Sequence, residues 1–376
     1  MNTEISKNPD VKVSVIMPIY NAGEYLSRAI GDVLSQTLTE LEIICVDDGS
    51  TDNSLDIIKS FRQKDQRVII VTESNAGASV ARNKGLEHAS GEYIIFLDAD
   101  DFFEADLLQK LYDVAKRDDL DIAVTKFDIY NDAQDKFSLP TEEPHGSIYT
   151  PGGVTSKNEF PEYILSSTTG YVWNKLFKAD FIRDKELMFD PELYVFEDVY
   201  FVCGAMSLAE RVGRIDDILV HHRVYSEQSR ARLFRKYYSQ VPVLYKKIRE
   251  FLMHHGMYVP LKKGFLNLSA GRCYKIFNLL WADGKEKLWN LLHEQYVAEL
   301  EWLKFDKSDF ESIEVCEFVA NVSLYSYSEY LSREEKGKNI DIETLEQDEI
   351  SKKVKVNEKK SHRKEVLSKL NIFKKK

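Results

Sequence analysis

The chain is predicted to be an α/β protein: a mostly parallel sheet with helices on both faces, followed by a mainly helical C-terminal region. Three observations predict this class. Short apolar runs alternate with helix-period segments between about residues 12 and 125, the spacing of successive strand–helix–strand units. Two of the runs, Leu41–Val46 and Tyr93–Leu97, stop abruptly at aspartates, and ligands of open α/β sheets sit beyond the carboxyl ends of the strands. From about Leu233 to Leu331 leucines and aromatics recur at helical spacing, as in Phe234, Tyr237, Tyr238, Val241 and again Ile276, Phe277, Leu279, Leu280. Such spacing reads as a helical region whose aromatics form its core.

The elements follow in order. Val11–Met17 is apolar enough for a buried strand, which Pro18 ends. A helix is expected from Glu24 to about Gln36, with Tyr25, Ile30, Val33 and Leu34 among its apolar positions; Leu41–Val46 is a second strand closing on Asp47-Asp48-Gly49-Ser50. Thr51-Asp52-Asn53-Ser54 offers an N-cap for a helix through about Phe61, Val68–Val71 is a third strand, and Ala78–His88 a third helix. The Gly91–Leu97 strand, a helix near Ala105–Lys116 and the run Asp121–Val124 continue the alternation. After Phe127, Pro140, Pro144, Pro151, Gly152, Gly153 and Pro161 mark a loop-rich insertion facing the ligand cleft and leading into Tyr171–Phe177. The expected divisions are a flexible N-terminus (1–10), an α/β domain (11–232, with halves 11–130 and 131–232), a helical region (233–331), and a charged linker with a basic tail (332–376).

With 376 residues, 43% hydrophobic and 30% charged, the chain can bury a sizeable core. No stretch is apolar over the length of a bilayer span, and Met1–Asp10 lacks the apolar segment of a secretory signal, so a cytoplasmic location is expected. Cys45, Cys203, Cys273 and Cys316 are too scattered for a zinc site or a disulfide framework and are expected as small core residues. The formal net charge of -11 is uneven: residues 352–376 hold eleven Lys or Arg against Glu358 and Glu365, leaving 40 basic and 60 acidic residues before them. An acidic body repels phosphate backbones, which argues against a general nucleic-acid binder.

The chemistry centres on Gly91–Asp101, where an apolar strand ends in Asp98-Ala99-Asp100-Asp101. Acids so close repel one another unless a cation or cationic ligand offsets them. In an extended turn residues two apart point the same way, so Asp98 and Asp100 can share one divalent ion with a substrate phosphate. Asp101 offers a cap to a helix starting near Phe103. Neither G-x-G-x-x-G nor G-x-x-x-x-G-K-[ST] follows the opening strand, so dinucleotide and P-loop phosphate binding are not indicated.

Four segments occur in the order Pro18-Ile19-Tyr20-Asn21, Val46-Asp47-Asp48-Gly49-Ser50-Thr51-Asp52, Asn75-Ala76-Gly77 leading to Ala81-Arg82-Asn83-Lys84-Gly85, and Leu97-Asp98-Ala99-Asp100-Asp101. Together they strongly resemble the inverting family 2 glycosyltransferases of GT-A fold, closely over about residues 11–130. A looser likeness runs through Trp173-Asn174-Lys175-Leu176-Phe177, Glu197-Asp198 and His222-Arg223 to about residue 230. The chemistry asks for these residue types in its own right. A nucleotide-sugar donor needs a face for its base, an acceptor for the base's imide N–H and positive charge for its diphosphate; Tyr20, Asp47 or Asp48, and Arg82 offer them.

The resemblance implies that Pro18, Asn21 and Asn75 belong to the donor site, that the Asp47-Asp48 loop serves base and ribose, and that Arg82 closes the nucleotide pocket. It assigns Asp98 to ribose and metal, Asp100 to direct coordination of Mn²⁺ or Mg²⁺, and His222-Arg223 to the diphosphate. It also implies a catalytic base within the Glu-Asp pair. Asp198 is chosen, because aromatic neighbours in Tyr194–Phe201 desolvate a carboxylate and raise its pKa; capping a helix near Val199 is a compatible second role. Glu197 then grips the acceptor or a basic neighbour. The implied activity moves a sugar from a nucleoside diphosphate donor, expected to be UDP-linked, to a hydroxyl of a glycan or lipid-linked acceptor in cell-envelope assembly. Two rivals stand beside it. A nucleotidyltransferase of similar fold would release pyrophosphate rather than nucleoside diphosphate, and a non-catalytic nucleotide-sugar-binding or scaffolding protein would turn over no donor. Oligomerisation stays open.

In Lys352–Lys376, Val366, Leu367, Leu370 and Phe373 fall at i, i+1, i+4 and i+7 among Lys364, Lys369, Lys374, Lys375 and Lys376, as in an interfacial amphipathic helix. At about 1 kcal/mol per basic residue near an anionic membrane surface, the tail can offset the acidic body and hold the chain peripherally. A solubilising tail, or one folded back on that body, is the alternative. Full-length protein is expected to co-sediment with anionic liposomes in a salt-sensitive way, and a chain ending at Ser351 to stay in solution; equal recovery of both in the supernatant at low salt rules the anchor out.

Overall fold

The structure is a computed structural model in which residues 10–140, 148–149, 152–225, 235–302 and 306–336 are described. The chain divides into two compact units, Met1–Arg230 with Phe251–Leu261, and Ala231–Glu250 with Lys262–Lys376.

The first unit is built on one sheet. β1 (Val13–Ile19), β2 (Leu41–Asp47), β3 (Val68–Thr72) and β4 (Tyr93–Phe96) lie parallel in the order β3-β2-β1-β4, linked by α1 (Leu26–Leu34), α2 (Ser54–Lys64) and α3 (Ala78–His88). After β5 (Phe102–Phe103), α4 (Leu107–Arg117), β6 (Ile122–Asn131), β7 (Lys136–Ser138) and β8 (Val154–Thr155), the chain forms β9 (Lys175–Lys178), α5 (Ala179–Asp184), α6 (Glu197–Leu208) and β10 (Val212–Val224). The sheet continues from β4 as β9-β6-β10-β5, with β9 antiparallel to both neighbours and β6 parallel to β10.

Strands covered on both faces must be apolar throughout, and β1 and β2 bury almost every side chain. On one face Val13, Val15 and Met17 pack with Leu26, Ala29, Ile30 and Val33 of α1 and with Leu107, Leu108 and Leu111 of α4. The α1 residues sit at i, i+3, i+4 and i+7, a single helical stripe. On the other face Ile16 touches α3 at Gly85, and Phe96 packs on Phe177, Phe189 and Phe201 with ring centroids 5.0–6.1 Å apart. Each fully buried side chain of this size contributes about 1.5–3 kcal/mol.

Several expectations shift. Pro18 does not end β1, which runs on to Ile19 in register with Asp47. The Leu97 N–H donates to the Ile16 carbonyl and the Asp48 N–H to the Ile19 carbonyl, so by alternation the Pro18 nitrogen faces β4, whose pairing with β1 stops at Phe96. A residue without an N–H is tolerated there. The Tyr171–Phe177 run, into which the expected insertion leads, enters a central strand, β9, at Lys175. The helix expected near Val199 starts at Glu197, after Phe196 in a left-handed conformation at φ 66°. Part of the expected linker is helical, because the helix Tyr327–Glu335 closes a capping box between Ser326 and Glu329.

Among its described residues the second unit is helical, with helices Ile313–Leu324 and Tyr327–Glu335 wholly inside it. Trp289 anchors its core, with Tyr330 stacked on it at 4.3 Å and Phe277 and Phe318 within 6.0 Å. All four cysteines of the chain are buried and none forms a disulfide. Among the described residues no helix is long and apolar enough to cross a membrane. The basic tail lies outside the described residues.

A Cβ on Gly85 would lie 2.2 Å from Ile16 Cγ2, whereas one on Gly31 in α1 would meet nothing within 4 Å. Gly85→Ala is therefore expected to lower stability by about 1–3 kcal/mol through overpacking, and Gly31→Ala to raise it by up to about 1 kcal/mol through helix propensity. Urea midpoints at unchanged slope read both effects.

Candidate active site

The parallel register of β1, β2 and β4 brings their carboxyl ends to one edge of the sheet, and the acids expected there are there. Asn21, left-handed at φ 51°, accepts through Oδ1 from the Thr51 and Asp52 amides at 2.8 and 3.3 Å, tying the loop after β1 to the loop after β2. Tyr20 beside it is 50% exposed, so its ring remains available for stacking. Asp48 is committed: its two oxygens accept from the Ala76 and Gly77 amides at 2.7 and 2.8 Å, which fixes the loop holding the exposed Asn75. Asp47 differs. It is buried, and its Oδ1 has no hydrogen-bond partner, a state that costs free energy until a donor arrives. Pro18 stays in the sheet.

Arg82 on α3 is 4% exposed and bridges two segments far apart in sequence. Its Nη2 donates to Asp98 Oδ1 at 3.0 Å and its Nη1 to Glu197 Oε1 at 2.8 Å, with the guanidinium 5.3 Å from the Phe189 ring. Burial works against its charge, but Asp98, Asp198 and Glu197 outweigh burial and raise its pKa. Glu197 thus holds a basic neighbour. Asp198, next to it on the first turn of α6, is pushed up to about 7 by burial and then by Glu197, against the pull of Arg82.

The turn after β4 is held from β10. Asp101 does not cap a helix: α4 starts at Leu107, and the buried Asp101 carboxylate accepts from the Arg223 amide at 2.8 Å and contacts His222 Nδ1 at 3.1 Å. Burial lowers the basicity of His222, but Asp101, Asp98 and Asp100 overcome this and raise its pKa. The His222 ring stacks on Trp173 at 5.0 Å. Arg223 donates through Nε to the Asp100 carbonyl at 2.9 Å, pairs with Asp132 and lies over Tyr25 at 4.5 Å. Asp100 itself is pushed up to about 6 by burial, Asp101 and Asp98, and accepts from Tyr225 Oη at 3.3 Å.

Among the described residues no three His, Cys, Asp or Glu side chains form a ready metal cage. Asp98 and Asp100 nevertheless fit a divalent cation. Both are oxygen donors on one turn, mutual repulsion helps raise Asp100, and Mg²⁺-like ions take one or two carboxylates plus substrate phosphates rather than full protein cages.

Sequence reasoning passed over Lys175. It is fully buried, and its Nζ donates to the carbonyls of Thr169 at 2.9 Å and Tyr171 at 2.6 Å and to Asn174 Oδ1 at 2.8 Å. Burial lowers its pKa to about 7, with the Asp198 charge opposing. A lysine inside the apolar run Trp173–Phe177 was the available signal.

This sheet, with acids at its strand ends and a Glu-Asp pair facing them, is of the GT-A class. Residues 14–180 match glycosyl transferase family 2. The glycosyltransferase GlyG of Streptococcus pneumoniae is 39% identical over 214 residues, 57% of this chain and 64% of GlyG. GlyA of the same organism is 32% identical over 221 residues, 57% of this chain and 31% of GlyA. The chain thus spans less than two thirds of either relative. In fold it is similar to the crystal structure of S. aureus TarS 1-349 in complex with UDP, at a TM-score of 0.67 and 21% identity, covering 87% of this chain and 92% of that one.

Arg82→Met leaves Asp98 and Glu197 facing each other without their cation. A loss of about 3–5 kcal/mol is expected near neutral pH, with a smaller deficit at pH 5, where Asp198, pushed up to about 7 by burial and Glu197, is protonated and no longer repels its neighbours. Urea unfolding at both pH values measures it; equal deficits would show that the acids do not depend on Arg82.

Proposed function

We propose that the chain is a metal-dependent, inverting glycosyltransferase that moves a sugar from a UDP-linked donor to an acceptor hydroxyl in the assembly of a cell-envelope polysaccharide or glycolipid. One observation carries the reading: Arg82 joins Asp98, at the end of the donor-side strand, to Glu197, beside Asp198, so the acids of both halves meet at one centre. The TarS structure was solved with UDP and, separately, with UDP-GlcNAc, which supports a UDP-linked donor by likeness of fold. The catalytic part is residues 11–232. The helical region 233–331 and the charged residues 332–376 are proposed as accessory, the latter as the attachment of a cytoplasmic enzyme to the membrane's inner face.

Each residue has a task in this reading. Tyr20 offers its ring to the base, Asp47 Oδ1 accepts the imide N–H, and Asp48 keeps the Asn75–Gly77 loop in place behind them. Asp198, with a pKa of about 7, accepts the acceptor's hydroxyl proton as that oxygen bonds to the anomeric carbon. The sugar–phosphate bond breaks on the opposite face, and the electron pair leaves with the nucleoside diphosphate. Arg82 and Arg223, the two arginines nominated for the diphosphate, are both paired with carboxylates, which supports the need for a further cation. Mn²⁺ or Mg²⁺ held by Asp98 and Asp100 would supply positive charge to the departing diphosphate.

Because a base must be ionised to work, kcat/KM is expected to rise with pH and level off above about 7, and Asp198→Asn to lose most turnover while keeping donor affinity. Asp100→Ala is expected to abolish transfer and weaken metal-dependent donor binding with the fold intact. Turnover of UDP-sugars followed by product identity, alongside calorimetry with UDP and Mn²⁺, tests both variants. Pyrophosphate as product would establish the nucleotidyltransferase instead, and normal turnover in Asp198→Asn with loss in Glu197→Gln would move the base to Glu197.

A further inference from the structure

Lys175 is the most deeply buried charged residue among those described, with no exposed surface at all. An ammonium has three N–H donors and no acceptor, and here each donor has an oxygen: the carbonyls of Thr169 and Tyr171 and the side chain of Asn174. Asn174 is itself fixed to β6, donating through Nδ2 to the Thr125 carbonyl at 2.8 Å and accepting the Thr125 N–H at 3.0 Å. Lys175 therefore ties the Thr169–Tyr171 loop to the rigid centre of the sheet. The outer side of that loop touches α6. A Cβ on Gly170 would lie 2.6 Å from Val199 Cγ2 and 3.3 Å from Val199 Cα, so the loop backbone forms the seat of the helix's first turn. Val199 directly follows Asp198, and the residue entering that turn, Phe196, has positive φ, a conformation that persists only where the surroundings hold it.

We infer that Lys175 is a positioning residue for sugar transfer: through the Thr169–Tyr171 loop it sets where the first turn of α6 presents the Asp198 carboxylate. The inference rests on the proposed role of Asp198. Four charged groups act on that carboxylate: Glu197 on its own helix, Arg82 on α3, Asp98 after β4, and Lys175 on β9. A second buried lysine provides the control. Lys157 Nζ donates to the carbonyls of Leu208 and Ala209 at 3.2 and 3.3 Å and pairs with Glu210. It thus clamps the other end of the same helix, about 15 Å away at 1.5 Å per residue.

The test compares Lys175→Met and Lys157→Met in the full chain. Both remove a buried ammonium, and both are expected to lower the melting temperature. Lys175→Met is expected to lower kcat for UDP release from a UDP-sugar on the order of 10- to 100-fold, the cost of a small displacement of a reacting group. Its donor KM, and UDP affinity in the presence of Mn²⁺, are expected to stay within about twofold, since the donor is held elsewhere. Lys157→Met is expected to keep wild-type kcat. Amide hydrogen exchange is expected to speed up in residues 168–171 and 197–200 for Lys175→Met, and only near 206–210 for Lys157→Met. Wild-type kcat in Lys175→Met, equal kcat losses in the two variants, or unchanged exchange at 197–200 would each overturn the inference. Exchange is read without turnover, so a wild-type chain that transfers no sugar would overturn the role of Asp198 while the loop and helix are still judged.

Discussion

The first unit depends on one buried guanidinium. Arg82 sits where Asp98, Glu197 and Asp198 converge, and without it three carboxylates would share a space with little water. Removing a charge from water costs several kcal/mol, recovered only when geometry is good and hydrogen bonds are made. Arg82 meets that condition in part, with two short contacts and an aromatic ring beneath it, while its Nε is left without a hydrogen-bond partner. The planar fork of an arginine offers two acids separate donors in fixed directions, which the point charge of a lysine does not. Arg82, with Lys175 also acting on Asp198, faces three acids, and the proposed divalent cation would offset the remaining negative charge.

A second layer of paired charge keeps the strand-end turn in shape. Asp101 accepts from β10, Arg223 reaches back to the Asp100 carbonyl, and the Trp173 ring covers His222. These contacts occupy residues that would otherwise count as ligand contacts. The structure spends Asp48, Asp101, Arg82 and Arg223 on holding loops and acids in place, which leaves Tyr20, Asp47, Asp100 and Asp198 for the tasks proposed above. Their conditions suit those tasks: a half-exposed ring, an unpartnered buried oxygen, and two carboxylates raised toward neutrality by burial.

The sequence by itself determined the α/β class, the alternation of elements from β1 to α4 and the strand ends that carry the acids. Those features follow from local rules: an apolar run of strand length, a 3.6-residue stripe, and acids that stop a buried strand. The tertiary structure decided which acid does what. Asp47 and Asp48 are adjacent and chemically identical, and only the arrival of the Ala76 and Gly77 amides separates them. Likewise Asp101 became the partner of β10 rather than a cap, and Lys175 became the inner fastening of a loop. Pairing between residues some 120 apart, such as Asp101 with Arg223, leaves no periodic trace in the chain, because hydrogen bonds and burial act through space and local spacing records only what neighbours along the backbone must do.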